Sequence, residues 1–336
     1  MMKLLGIAAV GLAAQLALGQ GTPQETIRLG STLVVAPTLV ETTSGELVSN
    51  LQSADFLLTD NGVEQKVTVE ESGRQPVAVV VLLQIGGAAR RQFQNYRGLA
   101  TMLDYATAGF ARQVAMVTFD SRPEEASDFT ANVDDLKQDL THPSAGDGGA
   151  AILDAVDYGI GLLDHQPAGT RKVLLLVSQT HDDGSEAKAE AVIHRLGETN
   201  TTIYSLTFSP EKAWLKDQFT RPVQPNPLYT FSPDYPPLLN TFNLDGPVRM
   251  ALGAMRTNAA AEVATLSGGE SLPFTSGGDL DRQLSLLANQ LPNYYTLTFR
   301  PSSQQPGLHA LHVQVLHQPE PVTVKARTSY WATGPK

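Results

Sequence analysis

The sequence predicts an α/β fold: a doubly wound, mostly parallel, Rossmann-like sheet inserted between N- and C-terminal β-strands that together form a β-sandwich. Two observations carry this. Apolar runs at Val77 to Leu83, Val114 to Phe119, Val173 to Val177 and Ile203 to Phe208 alternate with stretches of helical period, the mark of a parallel sheet covered on both faces. Strand-and-turn patterns fill residues 26–72 before that region and 293–332 after it. Neither set is large enough to stand comfortably alone, so the two are expected to share one core.

The chain opens with "MMKLLGIAAVGLAAQLALGQG": a cation at Lys3, an apolar stretch from Leu4 to Leu18, and the small residues Ala17 and Gly19 spaced as a signal-peptidase site. Residues 1–19 are expected to be a signal peptide, cleaved after Gly19, and the protein to be secreted or periplasmic. An uncleaved anchor is the alternative, although the stretch is shorter than the roughly 20 residues that span a bilayer. No later segment is apolar and long enough to span, so no integral membrane segment is expected after cleavage.

In residues 26–72, "STLVVAPTLVETTSGELV" reads as an apolar run broken by Pro37 and closed by a Ser44-Gly45 turn. The segment "ADFLLTDNGVEQKVTVEE" places two alternating runs around Asn61-Gly62, a type I′ hairpin signal. About four strands are expected here.

The α/β region is assigned to residues 75–292. Its first helix follows from the recurrence of Phe93, Tyr96, Leu99, Leu103, Ala106 and Phe110, and its second from Ile152, Ala155, Val156, Ile160 and Leu163. A third runs from Ser185 to Glu198. Helical patterns at Met250 to Leu266 and Leu280 to Leu291 flank a short strand at Glu270 to Phe274. Residues 209–248 interrupt the rhythm with eight of the chain's 21 prolines and with Trp214, Phe219, Tyr229, Phe231, Tyr235 and Phe242. Long insertions of this kind are often functional, and exposed aromatics suit protein recognition; an ordered crossover that packs its own aromatics inward is the alternative. Tyr294 to Pro301, Leu308 to His317 and Val322 to Trp331 read as the three closing strands.

Composition excludes several functions. The 336 residues, 42% hydrophobic and 17% charged, can bury about two domains. A net charge of −10 without any Lys/Arg run argues against a nucleic-acid partner. The absence of cysteine removes disulfides, thiol catalysis and thiolate metal sites. There is no Gly-x-Ser-x-Gly, His-Glu-x-x-His, phosphate loop or Gly-x-Gly-x-x-Gly. His181 and His194 have no evident nucleophile to serve. His309 and His317, eight residues apart, would lie roughly 27 Å apart along a strand, with His312 on the opposite face; they read as surface or edge histidines. No enzyme, cofactor or metal is expected.

"LQSADFLLTDNGVEQKV", "PVAVVVLLQIGGAARRQ", "RKVLLLVSQTHDDGS" and "VKARTSYWA", in this order, resemble the von Willebrand factor type A domain and, more narrowly, the exported type A-related proteins of acidobacteria. The resemblance covers nearly everything after the signal peptide. It implies a rim at the carboxyl ends of the parallel strands where metal-competent members hold Mg²⁺ through an Asp-x-Ser-x-Ser motif, a Thr and a second Asp. By that correspondence the first Asp falls at Gln84, the two Ser at Gly86 and Ala88, the Thr at Ala150 and the last Asp at Gln179. Every implied side-chain ligand is replaced, and both strand-end acids are neutral amides, which balance a dication poorly. The two amides are expected to meet and bond each other or nearby backbone. Of the acids close by in sequence, Asp120, Asp147, Asp154, Asp182 and Asp183, Asp154 reads as a helix-face or loop partner and Asp182 and Asp183 as helix-start charges. Gly86 and Gly87 are expected to leave amides uncovered at a helix start, with Arg90 and Arg91 alongside and Thr180 across the rim. The implied function is binding or scaffolding, with a protein or envelope component as partner; a purely structural module is the alternative.

Overall fold

The computed structural model describes residues 33–71, 75–208, 245–303 and 305–333. The predicted signal peptide, and Trp214, Phe219, Tyr229, Phe231, Tyr235 and Phe242, lie outside them. Among the described residues no helix is long and apolar enough to cross a membrane.

Strands β1 (Val34–Thr42), β2 (Phe56–Asp60), β3 (Val63–Gln65) and β4 (Val67–Glu71) come first, and β10 (Tyr295–Phe299), β11 (Gly307–Val315), β12 (Val322–Ala326) and β13 (Ser329–Ala332) come last. They interleave into two antiparallel sheets, ordered β12-β1-β10-β4 and β13-β11-β2-β3. Between the sheets lie Ala36, Val40, Leu58, Leu297, Phe299, Leu311 and Tyr330, contributed by both halves. The Asn61-Gly62 turn has both residues at positive φ (47° and 80°), as a type I′ hairpin requires.

Pro37 does not break β1. The strand pairs with β10 over Val34–Thr38 and with β12 only from Thr38 onward, so the missing N–H of Pro37 falls where one side has no ladder partner. The run Val322 to Trp331 is two strands rather than one, and they belong to different sheets. The break falls at Arg327, whose buried guanidinium donates to the carbonyls of Ser329, Leu196 and Gly197 at 2.6, 3.0 and 2.7 Å. A strand continuing straight on would turn this cation away from those carbonyls.

The α/β sheet comprises β5 (Val77–Gln84), β6 (Arg112–Phe119), β7 (Arg171–Gln179), β8 (Thr202–Phe208) and β9 (Ser271–Pro273), in the order β6-β5-β7-β8-β9. Every neighbouring pair is parallel. Alternation along β5 separates two cores. Val77, Val79, Val81 and Leu83 face one layer, with α1 (Leu99–Ala106), α2 (Lys137–Thr141) and α7 (Gly277–Gln290). Ala78, Val80 and Leu82 face the other, with α3 (Ile152–Asp164), α4 (Ala189–Glu198), α5 (Asp245–Thr257) and α6 (Ala259–Ser267). Leu39 of the sandwich joins the first core and Leu308 the second. Helix α5 occupies part of the stretch expected as irregular insertion.

The expected first helix is composite. Gly87–Gly98 winds as a 3₁₀-helix before α1 begins at Leu99. The spacing contains the reason: Phe93, Tyr96 and Leu99 recur every three residues, the 3₁₀ period, and the four-residue step to Leu103 starts the α-helix.

Candidate functional site

Chain order reverses at β5, which has β6 on one side and β7 on the other, so the crevice between β5 and β7 opens at a topological switch point. Gln84 and Gln179 stand at these two strand ends. Gln84 is fully buried. Its Nε2 donates to Gln179 Oε1 at 3.2 Å and to the Gly86 carbonyl at 3.0 Å, while its Oε1 accepts the Gln179 backbone N–H at 2.7 Å. Gln179 Nε2 donates to the His181 carbonyl at 2.9 Å. The two amides therefore meet, as their places on neighbouring strands predict, and each has its donors and acceptors engaged.

Gly87 closes over this pair. It sits at φ 54°, and a Cβ there would approach Gln84 Nε2 and Gln179 Oε1 to 3.4 Å and the Gly148 carbonyl to 3.3 Å. Gly86 is tighter still, since its Cβ would lie 2.3 Å from the Gly149 carbonyl and 2.5 Å from Asp120 Cβ. These glycines let three loops touch backbone to backbone. Two of the amides at the helix start are engaged rather than open: Gly87 N–H donates to the Asp147 carbonyl and Ala89 N–H to the Gly86 carbonyl. Ala88 is half-buried, whereas Arg90 and Arg91 are exposed.

Ala150 is buried, and its backbone exchanges both hydrogen bonds with Asp183 at 2.9 Å, clasping the loop before α3 to the loop after β7. Asp182 serves α3 rather than a helix of its own: its Oδ1 accepts the Leu153 N–H at 3.0 Å and the Ser185 hydroxyl at 2.6 Å. The expectation of a charge at the following helix start is corrected accordingly, because Asp182 satisfies an orphan amide across the rim. Asp154 accepts the backbone N–H groups of Glu186 and Ala187 at 2.9 and 2.7 Å, as a loop partner. Thr180 is buried, with its Oγ1 2.8 Å from His181 Nδ1.

Asp120 and Asp147 line a hollow of 620 Å³ with Ser121, Arg122, Glu124 and Glu125. Asp120 Oδ2 accepts the Asp147 N–H at 3.1 Å, and Asp147 accepts from the Ser121 hydroxyl and from the Gly149 N–H. The Ser121 hydroxyl first, then the Gly149 amide, hold the Asp147 carboxyl below its ordinary value. A larger hollow of 1030 Å³ lies at the amino ends of the strands, beside Val77, Phe110 and Arg112, away from this rim.

The strand-end donors do not fit a divalent cation. Mg²⁺ wants hard oxygen ligands whose charge balances its own, and here the two amides are spent on one another and on backbone. Among the described residues no group of three or more acidic or histidine side chains could hold a metal ion.

Sequence reasoning missed three buried polar groups. His309, expected at the surface, is fully buried between the sandwich sheets, with Nδ1 2.7 Å from Asp60 Oδ1 and Nε2 2.8 Å from the Gln305 carbonyl. Tyr330 donates to Asp60 Oδ2 at 2.8 Å. The others are Arg327 and Glu262. Strand parity held a signal for the first group, because Asp60 and His309 share the inward parity of Leu58 and Leu311.

The fold is a helix-covered parallel sheet entered and left through antiparallel strands. No family model matches the sequence, and no curated protein does. Among solved structures, the chain is similar to a von Willebrand factor type A protein from Catenulispora acidiphila at 10% identity and TM-score 0.45, over 85% of this chain and 74% of that one. It is similar to the conserved hypothetical protein BatB from Bacteroides thetaiotaomicron at 15% identity and TM-score 0.39, over 63% and 99%. It is also similar to proximal thread matrix protein 1 from the mussel byssus at 12% identity and TM-score 0.43, over 74% and 51%.

Proposed function

We propose that this protein is an exported, non-catalytic binding module of type A fold that engages a protein or cell-envelope component through its strand-end rim without a divalent cation. The observation that carries the reading is the Gln84–Gln179 amide pair. It keeps the two strand ends together by neutral hydrogen bonds, so the rim is formed before any ligand arrives and needs no ion to form it. A preformed surface binds without the ordering cost of one assembled on contact. Arg90 and Arg91 project from the 3₁₀-helix beside the pair and make no ion pair among the described residues, which leaves both free for a partner's acidic groups. Export rests on the leader-like first 19 residues.

The test is capture of an envelope component by the mature chain, with and without excess chelator. Capture should be unchanged by chelator and fall at least tenfold in an Arg90→Ala, Arg91→Ala double variant. Loss with chelator would show a metal-dependent rim and overturn the reading. Capture indifferent to the double variant, or no capture at all, would favour a purely structural module.

A further inference from the structure

Glu262 lies in the first turn of α6 and is only 6% exposed. Its Oε1 meets no hydrogen-bond donor. Helical spacing places it on the same flank as Ala259 and Leu266, which pack with Val192 and Leu196 of α4 and with Ala251 and Met255 of α5. A carboxylate in such surroundings is costly unless paired, and Glu262 makes no ion pair among the described residues. On α4, His194 faces Glu198, and Arg195 faces Asp157 and Asp164. On α5, Arg249 and Arg256 are exposed. Burial alone therefore pushes the Glu262 carboxyl up to about 7.

The same turn is tied to the rim. Ala260 N–H donates to the Thr180 carbonyl at 3.3 Å, and the Ser205 hydroxyl donates to the Ala260 carbonyl at 2.5 Å. Asn258 caps the helix by accepting the Ala261 N–H at 2.9 Å. Whatever displaces Glu262 acts on backbone two residues from the contact with Thr180, next to Gln179.

We propose that Glu262 is a proton-operated latch: its neutral carboxyl seats the first turn of α6 against α4, α5 and the rim, and its ionisation drives that turn toward water and loosens Thr180. The sign follows from a raised folded-state value. The seated state has its full stability below the ordinary carboxylate range near 4.3 and loses it as pH rises toward and past about 7. Regulation of binding by this latch rests on the rim reading, but the latch itself does not.

The test is amide hydrogen exchange on the partner-free full chain at pH 5.5 and 8.0, corrected for intrinsic rates, in wild type, Glu262→Gln and Glu262→Met. In wild type, protection of the Ala260–Val263 amides should fall on the order of tenfold or more at the higher pH, while α3 keeps its protection. Both variants should abolish that difference; Met supplies an apolar side chain with no stranded polar atom should Gln fold poorly. Equal wild-type protection at the two pH values, or a Glu262 carboxyl that titrates by carbon NMR in the ordinary range, would overturn the proposal. Because no partner is present, failure of the rim reading leaves this result unaffected.

Discussion

His309 shows how one side chain can set the conditions under which a sandwich holds. Both ring nitrogens face oxygen acceptors, Asp60 Oδ1 and the Gln305 carbonyl, an arrangement that favours the doubly protonated ring. Burial by itself would lower its pKa; the hydrogen bonds the ring makes to Asp60 and to the Gln305 carbonyl, with the Asp60 charge, outweigh burial and raise it. A raised folded-state value means stability present in full below the unfolded imidazole value near 6.5 and lost as pH rises through the folded one. Urea midpoints between pH 6 and pH 9 should therefore fall for wild type and stay flatter for His309→Gln. The variant should also be weaker by about 3–5 kcal/mol at pH 6, the usual cost of stranding one member of a buried pair. A wild-type midpoint constant across this range would disprove the imidazolium.

At the level of elements, helix α4 and strand β13 make the closest join between the sandwich and the α/β layers. A Cβ on Gly197 would come within 2.7 Å of the Trp331 backbone nitrogen, and the Gly197 carbonyl accepts from Arg327. Gly197→Ala should cost roughly 1–3 kcal/mol, as forced overpacking does, read as a shift in the urea midpoint; an unchanged midpoint would mean that β13 can slide on α4. Elements whose hydrophobic spacing matches one period were legible in the sequence: β5, β7, α3 and the Asn61-Gly62 hairpin all lie where alternation and turn chemistry put them. The 3₁₀ segment and the split between β12 and β13 were not, because in each a run of suitable residues continues while the backbone changes state. The amide pair at Gln84 and Gln179 was legible once the strands were placed. Arg327 and Glu262 were not, since their surroundings come from elements far apart in sequence.

For the molecule as a whole, two buried titrations act with the same sign. His309 in the sandwich and Glu262 in the α/β layer both favour the folded chain when protonated, so stability leans toward mildly acidic solution. The lowered values of Asp147 and of Asp279 in α7, whose carboxylate accepts the Thr275 hydroxyl, oppose this only at the far acid end. The interleaved sandwich also has a consequence in time. The ladder partners of β1 are β10 and β12, and the partner of β4 is β10, all drawn from the end of the chain. Val34 pairs with Phe299, so β1, made before the α/β sheet, is among the last of the described strands to find its ladder, and closing so long a loop is slow. During synthesis the α/β sheet can assemble from consecutive units while the opening strands wait with open edges, exposed to wrong pairing. Pulsed hydrogen exchange during refolding should find β5 and β7 protected before β1; simultaneous protection would mean that the sandwich nucleates first. A chain stalled short of β10 would carry a finished α/β sheet and an unfinished sandwich, which makes the last forty or so residues the ones on which escape from aggregation depends.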